Sequence, residues 1–301
     1  MQRKFLYFIN PISGTAFKKR GGLKKLITDA TKLKHIPFEI FDTREDGKYF
    51  WLKDKIKDEK ITDVIVCGGD GTINKIAFAL LDTNVNLGII PQGSGNGLAL
   101  SIKIPTNTED ALDLIFNGNY KQIDAFYIND EFSCMLCGIG LDAKIAHDFA
   151  KQSTRGLATY IKQSIKNFVT TATYNFTIRI NNERINTDAF FISIANSNQF
   201  GNNFTIAPKA SLHDGLLDVV IVQKMNKAKL IWAICSQLKF GKLIEVETAQ
   251  ATQNEILYFQ TNELHITNHK NAPLHIDGDP AETSSEFIIK ILPNALKLIH
   301  P

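Results

Sequence analysis

One stretch of the chain, Val64 to Leu81, limits the possible folds more than any other. Four apolar residues, Val64 to Cys67, have the pattern of a buried strand, and three glycines follow between Gly68 and Gly71. Apolar residues then recur at helical spacing from Ile73 to Leu81, and Thr72 is placed to cap that helix. The stretch predicts a strand, a tight glycine turn and a helix, a unit that brings backbone N–H groups close to an anion.

The strand-then-helix unit recurs through roughly the first 120 residues. Strands are predicted at residues 5–9, 38–41, 64–67 and 86–90, with helices at about 22–33, 48–57 and 73–81 between them. Four such units favour a parallel, doubly wound sheet. The predicted fold class is therefore α/β in this part of the chain, with ligands expected at the carboxyl ends of the strands.

The pattern changes near residue 120, where apolar and polar residues begin to alternate with a period of two. This alternation predicts an antiparallel β-sandwich, interrupted by helices at about 155–170 and 226–240, and a short closing helix at Leu292–Leu298 that returns to the first domain. The predicted domains are 1–121, joined by about 293–301, and 122–292. The predicted strands of the sandwich are Gln122–Tyr127, Phe132–Cys137, Asn175–Ile180, Ala189–Ala195, Leu217–Val222, Leu257–Thr267 and Phe287–Leu292.

Composition narrows the class of protein. The 301 residues carry a net charge of +3, too little to argue for nucleic acid as a partner but compatible with an anionic membrane surface. No uninterrupted apolar stretch approaches the 18 or so residues of a membrane span, and the N-terminal apolar run is too short for a signal peptide. We expect a cytoplasmic protein without a transmembrane segment, whose four cysteines are reduced core residues: Cys67, Cys134, Cys137 and Cys235.

Polar loops follow several predicted strands. Asn10–Thr15 ends the first strand, and a second glycine-rich loop, Pro91–Ala99, ends the fourth. Asp70 lies inside the first glycine turn, where phosphate would repel it unless it binds a metal or takes a proton. Asp277 and Asp279 flank Gly278 at another strand end. Each loop alone can be a plain turn, but glycine loops with carboxylates together favour phosphoryl transfer. Walker and Rossmann spacings are both absent.

At these positions the chain resembles the diacylglycerol kinase catalytic-domain family, which includes bacterial lipid kinases, sphingosine kinases and ceramide kinases. The matching motifs are Asn10-Pro-x-Ser13-Gly14, Gly68-Gly-Asp-Gly-Thr-x-Asn74, Pro91-x-Gly93-Ser-Gly-Asn96 and Asp277-Gly-Asp279, in the family's order. The resemblance implies an N-terminal α/β nucleotide domain, similar to those of NAD kinase and phosphofructokinase, followed by a β-sandwich. It also implies ATP and Mg²⁺ as cofactors.

The resemblance also assigns roles by position. It makes Asp279 the proton acceptor of bacterial members, Asp70 that of sphingosine kinases, and Asp277 a Mg²⁺ or supporting carboxylate. A structural Mg²⁺ would lie at Ser211, Asp214 and Leu216. The ATP-contacting positions would be Asn10, Ser13, Gly14, Thr43, Gly68, Gly69, Asp70, Gly71, Thr72, Asn74, Gly93, Ser94, Gly95 and Asn96.

Three residues depart from the family pattern. Lys75 replaces a glutamate, Gly97 replaces the aspartate of bacterial diacylglycerol kinases, and Asp279 is one methylene shorter than the usual glutamate, which moves a base by about 1.5 Å. The leading hypothesis is an ATP- and Mg²⁺-dependent lipid kinase that phosphorylates a hydroxyl of diacylglycerol or of a sphingoid base at a membrane surface, with homodimerisation possible. The alternatives are an NAD kinase and a catalytically impaired nucleotide- or lipid-binding homologue.

Overall fold

The structure, a computed structural model, describes residues 2–13, 16–150, 167, 172–181, 183–201, 204–225 and 256–301. The chain divides into two compact units, Met1–Ile123 with Asn294–Pro301, and Asp124–Pro293. The helix predicted at about 226–240 lies outside the described residues, as does that at about 155–170 except for Asn167. Within the described ranges, no helix has the length and apolar character needed to cross a membrane.

The first unit is built on a parallel sheet, in agreement with the sequence prediction. Neighbouring strands run in the order β2-β1-β3-β4, with β1 between β2 and β3 and with β4 on the far side of β3. The strands are β1 (Phe5–Ile9), β2 (Phe38–Asp42), β3 (Asp63–Gly68) and β4 (Asn86–Pro91). The helices are α1 (Ala16–Leu33), α2 (Leu52–Glu59), α3 (Asp70–Ala79), α4 (Gly97–Ser101) and α5 (Thr108–Asn117).

Strand β1 shows why its sequence is apolar without alternation. Phe5 and Tyr7 are buried in a core that includes Ile27 of α1, while Phe8 contacts the rings of Phe41 and Tyr49. A parallel strand covered on both faces needs apolar residues at every position. The doubly wound arrangement follows from this two-sided burial.

The prediction of a closing helix at Leu292–Leu298 was wrong. This segment belongs to β17 (Glu286–His300), whose final residues pair in parallel with β4 through Lys297 and Leu298. The last residues of the chain, Asn294–Pro301, belong to the first unit. Asn294 has a φ of 53°, which a regular helix does not allow. The open edge of β4 outweighs a weak local helical pattern, because strand pairing satisfies the backbone groups.

The second unit is antiparallel. Its strands pair in the order β16-β15-β7-β9-β8-β14-β17, and β12 pairs with β9 and β13. The strands are β5 (Asn119–Ile128), β6 (Glu131–Ser133), β7 (Leu136–Gly140), β8 (Tyr174–Ile180), β9 (Glu183–Ala195), β10 (Gln199–Gly201), β11 (Phe204–Thr205), β12 (Leu217–Gln223), β13 (Ile256–Thr261), β14 (Glu263–Asn268), β15 (Leu274–Ile276), β16 (Asp279–Ala281) and the start of β17; a helix, α6 (Leu141–Ala150), follows β7.

Alternating residues of these strands meet in one apolar core. Phe176, Ile192, Val219, Ile266 and Phe287 lie on five different strands and are all buried in it. This confirms the period-two interpretation of the second half of the sequence.

Two strands that the sequence predicted as continuous are broken. Phe132–Cys137 is divided between β6 and β7, because the backbone between them turns around the carboxylate of Asp277. Leu257–Thr267 is divided at Asn262, where the hydroxyl of Thr261 donates to the carbonyl of Glu263 at 2.7 Å. Side-chain hydrogen bonds to the backbone compete with the ladder at both places.

Candidate functional site

The two glycine-rich loops leave neighbouring strands of the first unit and touch each other. Strands β3 and β4 are paired up to Gly68 and Pro91, so both loops begin at the same edge of the sheet. Gln92 N–H donates to the Gly68 carbonyl at 2.9 Å. A Cβ atom on Gly93 would lie 2.5 Å from the Cα of Gly69. The close approach therefore requires glycine.

Thr72 joins the first glycine loop to the loop after β1. Its hydroxyl accepts a 2.7 Å hydrogen bond from Asn10 Nδ2. Its side chain also packs against Gly68, where an added Cβ would lie only 2.7 Å from Thr72 Cβ. The predicted capping role of Thr72 was wrong, because α3 begins earlier, with Gly69 as its N-cap. The extended backbone of Gly69 allows the helix to start directly behind the strand.

The loop after β1 is held by its own polar side chains. Asn10 Oδ1 accepts from the N–H of Ile12 at 3.0 Å, and the hydroxyl of Ser13 donates to the Asn10 carbonyl at 3.3 Å. Gly14, a predicted ATP contact, lies outside the described residues. The structure thus brings Asn10 and Thr72 together, with Ser13 hydrogen-bonded to Asn10 itself.

Asp70 connects the two glycine loops. Its carboxylate accepts from the backbone N–H groups of Gly97 at 3.0 Å and Leu98 at 3.3 Å, the first residues of α4. The N-cap of that helix, Asn96, makes no capping hydrogen bond of its own. Asp70 therefore supplies the cap from a different helix, and its negative charge is stabilised by the N–H groups at the start of α4.

Asn96 closes the second loop upon itself. Its backbone is left-handed, with a φ of 52°, and its side chain donates to the Gly93 carbonyl and accepts from the Gly93 N–H at 3.0 and 2.8 Å. Between these residues Ser94 is exposed and Gly95 is partly buried. The loop therefore holds a fixed shape with little side-chain bulk over its backbone.

Thr43 and Lys75 lie beside a third loop of the first unit. Thr43 follows β2, and its N–H donates to the carbonyl of Ile9 at 2.9 Å. Lys75 donates to the Glu45 carbonyl at 3.3 Å, and a Cβ on Gly47 would lie 2.8 Å from its Cδ. Lys75, which replaces the family's glutamate, thus packs along the loop that follows Thr43. Asn74 is partly buried one residue earlier in α3.

In the second unit, Asp277 and Gly278 form a tight turn between β15 and β16. Both have positive φ angles, 48° and 86°, as in the two-residue turns that match strand twist. The Asp277 carboxylate is 6% exposed and accepts from the Ser133 hydroxyl at 2.6 Å and from the N–H groups of Cys134, Met135 and Leu136 at 3.2, 3.1 and 3.0 Å.

These bonds occupy both carboxylate oxygens of Asp277, so the residue does not fit a Mg²⁺ ligand. The other half of its predicted assignment, a supporting carboxylate, stays a prediction. Asp279 is different because it is exposed at the start of β16.

The loop predicted to hold a structural Mg²⁺ makes internal hydrogen bonds. Ser211 Oγ accepts from the His213 N–H at 3.3 Å, and Asp214 Oδ1 accepts from the Leu216 N–H at 3.1 Å. Across the described ranges, no group of three or more His, Cys, Asp and Glu side chains is arranged to hold a metal ion. The side chains found here do not form a ligand set, and the structural Mg²⁺ stays a prediction.

Two buried acids near this loop were missed by the sequence interpretation. Asp124 Oδ2 accepts from the Gly215 N–H at 2.8 Å. Asp218 is hydrogen-bonded by Tyr258 and Gln260, and burial raises its pKa to about 6. Their signal in the sequence was an acid within an apolar strand, which is a costly placement unless hydrogen bonds compensate.

The cysteines do not form a reactive pair. Cys67, Cys134 and Cys137 are buried, reduced core residues, as expected, and Cys235 lies outside the described residues. Burial, followed by the nearby charges of Asp277 and Asp142, raises the pKa of Cys137 well above its ordinary value. A thiol so protonated is a poor nucleophile and a poor metal ligand.

Comparisons with known proteins identify both halves of the chain. Residues 4–128 match the description "Diacylglycerol kinase catalytic domain", and residues 136–300 match "YegS C-terminal NAD kinase beta sandwich-like domain". A Citrobacter koseri protein named "Probable lipid kinase YegS-like" is 31% identical, with 97% of this chain and 96% of the relative covered. An uncharacterised Synechocystis protein is 27% identical over 79% of this chain, which spans 54% of that protein's length.

A solved structure shares the fold. The crystal structure of a diacylglycerol kinase from Bacillus anthracis superposes with a TM-score of 0.71 at 20% identity, covering 99% of this chain and 97% of the other. At that identity the likeness concerns the fold alone, and it agrees with the α/β unit followed by a β-sandwich.

Proposed function

This chain belongs to the YegS-like lipid kinase family with a diacylglycerol kinase catalytic domain, and from that premise we propose that it transfers the γ-phosphate of ATP to a hydroxyl of diacylglycerol or of a sphingoid base. The observation that carries the proposal is the pair of contacting glycine loops joined by Asp70. Gly69 and Gly93 let the two loops approach closely at one edge of the sheet, and glycine loops that lead into helix starts are suited to binding phosphate oxygens through backbone N–H groups.

Phosphoryl transfer suits such a site because it depends mainly on positioning and on neutralising charge. The N–H groups at the start of α3 and in the loop Ser94–Asn96 would hold the phosphate oxygens, and Asn10, Ser13, Thr43 and Thr72 would line the approach. Mg²⁺, bound with the nucleotide, would supply further neutralisation of the phosphate charge. We assign no protein side chains as ligands of this Mg²⁺.

The two candidate acids lie in different surroundings. Asp70 accepts two backbone N–H groups, which favours a role in joining the loops. Asp279 is exposed at the start of β16, which favours it as the proton acceptor. In the proposed step, the lipid hydroxyl oxygen forms a bond to the γ-phosphorus, its proton passes to Asp279, and the bond to the bridging oxygen of ADP breaks.

The first test is a transfer assay with labelled ATP and Mg²⁺ against dioleoylglycerol, sphinganine, ceramide and NAD. Label in a lipid supports the proposal. Label in NAD alone would identify an NAD kinase, the alternative that the description of the C-terminal half keeps open. ATP binding without label in any acceptor would identify an impaired homologue, for which Lys75 and Asp279 are the candidate causes.

A second test separates the acids. Asp279→Asn should lower kcat by several orders of magnitude with little change in the KM for ATP, because it removes only the proton acceptor. Glu282→Gln, at an exposed acid that directly follows β16, is the matched control and should retain activity. Asp70→Asn should weaken ATP binding as well as turnover. A normal KM for ATP in Asp70→Asn would contradict the loop-joining role.

The lipid substrate implies contact with a membrane surface, and we propose a peripheral contact by a cytoplasmic protein, with a homodimer as the state to be tested. Co-sedimentation with vesicles of phosphatidylglycerol and dioleoylglycerol, compared with vesicles lacking diacylglycerol, measures the contact. Light scattering after gel filtration gives the oligomeric state. Absence from both vesicle pellets would contradict the peripheral contact.

A further inference from the structure

A buried polar cluster lies directly behind the turn that carries Asp279. His275, on β15, is paired in register with Gly138 on β7, and Asp142 lies in the first turn of α6, which follows β7. His275 is 1% exposed and Asp142 is 7% exposed. Burial of an imidazole and a carboxylate at one place costs free energy unless the two groups are paired with each other.

Gly138 provides the space in which the two side chains meet. A Cβ atom at this position would lie 1.9 Å from Asp142 Oδ2 and 2.5 Å from His275 Nε2. Any other residue would therefore displace both groups. A glycine in a buried strand, where it weakens the strand, commonly marks such a close approach.

The imidazole connects α6 to the turn. Its Nε2 lies 3.5 Å from Asp142 Oδ2, and that buried oxygen has no hydrogen-bond partner in the part of the chain that the structure describes. At the other side of the ring, Nδ1 accepts from the Gly278 N–H at 3.4 Å. A ring that accepts at Nδ1 carries its proton at Nε2, where it faces the carboxylate.

The hydrogen bond to His275 is a tertiary contact of the Gly278 peptide. Space for a Cβ at Gly278 is open, with no atom within 4 Å, and its φ is 86°. Asp277 anchors the turn on one side through its hydrogen bonds to Ser133 and the backbone that follows. On the other side, the N–H of Gly278, between Asp277 and Asp279, donates to the His275 ring.

We infer that Asp142 and His275 are positioning residues that hold the Gly278 peptide and thereby orient Asp279 toward the acceptor hydroxyl. This inference rests on the proposed function, in which Asp279 takes the proton. Asp142 fixes the tautomer and the tilt of the ring, and the ring fixes the peptide that precedes Asp279. The arrangement follows the general pattern in which a carboxylate orients a histidine.

Substitutions at His275 separate its two contacts. Asn places an amide oxygen near the position of Nδ1 and can still accept from Gly278, whereas Leu of similar size removes both contacts. We expect His275→Leu to lower kcat about 10- to 100-fold, since a displacement of about 1 Å has that effect on rate, with the KM for ATP changed less than twofold. His275→Asn should recover most of kcat. The acceptor is dioleoylglycerol or sphinganine in mixed micelles, whichever the wild-type protein labels.

The control is His265→Asn, because the His265 side chain on β14 is only partly buried, 44% exposed, and contacts Glu263; this variant should be indistinguishable from wild type. Asp142→Asn and the double variant Asp142→Asn with His275→Leu form a cycle. The double variant should be no slower than His275→Leu alone, because both changes act through one contact. Additive losses, or a wild-type kcat in a folded His275→Leu protein, would overturn the inference.

A second measurement does not depend on activity. In protein labelled with ¹⁵N in the imidazole ring, NMR should show His275 with its proton on Nε2, and Asp142→Asn should shift that resonance while leaving His265 unchanged. A proton on Nδ1 in the wild type would overturn the inference even if the variants fail to fold. Full turnover by Asp279→Asn would instead refute the proposed function, and the NMR result would still decide whether Asp142 orients the ring.

Discussion

Replacing Gly93 by alanine tests whether the proposed phosphate site depends on close contact between the two glycine-rich loops. The added Cβ would lie 2.5 Å from Gly69 Cα and 2.9 Å from Asn96 Oδ1. Carbon atoms ordinarily approach to about 3.5–4.0 Å, so the two loops must separate by about 1 Å. A shift of that size in a positioning element costs about 100-fold in rate, and overpacking of this kind destabilises a fold by about 1–3 kcal/mol.

The assay measures kcat, the KM for ATP and the midpoint of thermal unfolding for Gly93→Ala and for Gly22→Ala. Gly22 lies in α1, and a Cβ atom added there would have no atom within 4 Å. Alanine at this position should therefore stabilise the helix by up to about 1 kcal/mol and leave activity unchanged. Gly93→Ala should lose turnover and ATP affinity together. If a folded Gly93→Ala protein binds ATP and turns over at the wild-type rate, the loops do not form the phosphate site.

Three further predictions concern buried acids. Asp277→Asn should lower the free energy of unfolding by about 2–4 kcal/mol in urea titrations, because a neutral amide cannot accept from Ser133 and three backbone N–H groups with the same strength. A change below about 0.5 kcal/mol, which is the size of a surface effect, would contradict this. Asp218→Asn should flatten the pH dependence of stability. Burial raises the folded-state pKa of Asp218 from 3.8 to about 6, so the contribution of protonated Asp218 to stability is lost, and the wild-type melting temperature falls, as pH rises across that interval. An unchanged slope of melting temperature against pH in the variant would refute the raised pKa of Asp218. Asp63→Asn should cost about 3 kcal/mol, measured by the same urea titration, because it removes the buried partner of Arg3 at 2.6 Å; unchanged stability would show that the pair contributes nothing.

The positions of the glycine loops illustrate what local sequence can predict. An apolar run followed by Gly68 to Gly71 has few conformations compatible with both the glycines and the following helical spacing, and the structure has the predicted strand, turn and helix there. The parallel sheet follows from repetition of that unit, since each crossover needs a helix. The antiparallel second half follows in the same way from its period of two.

Other features depended on residues far apart in the chain. Asp70 caps a helix 27 positions later, and Asp277 breaks a strand 144 positions earlier. The closing segment became a strand because the edge of β4 was open to it. No pattern within a window of the sequence carries information about such pairings.

The amino-acid sequence by itself therefore determined the two fold classes, the family and which loops are rich in glycine and acid, because these depend on periodicity and on backbone freedom at single positions. Only the tertiary structure decided what each acid does. Asp70, Asp277 and Asp279 look alike in the sequence, yet two of them accept backbone N–H groups and the third is exposed. The chemistry of a carboxylate is set by its hydrogen-bond donors and its burial, and both come from residues brought close by folding.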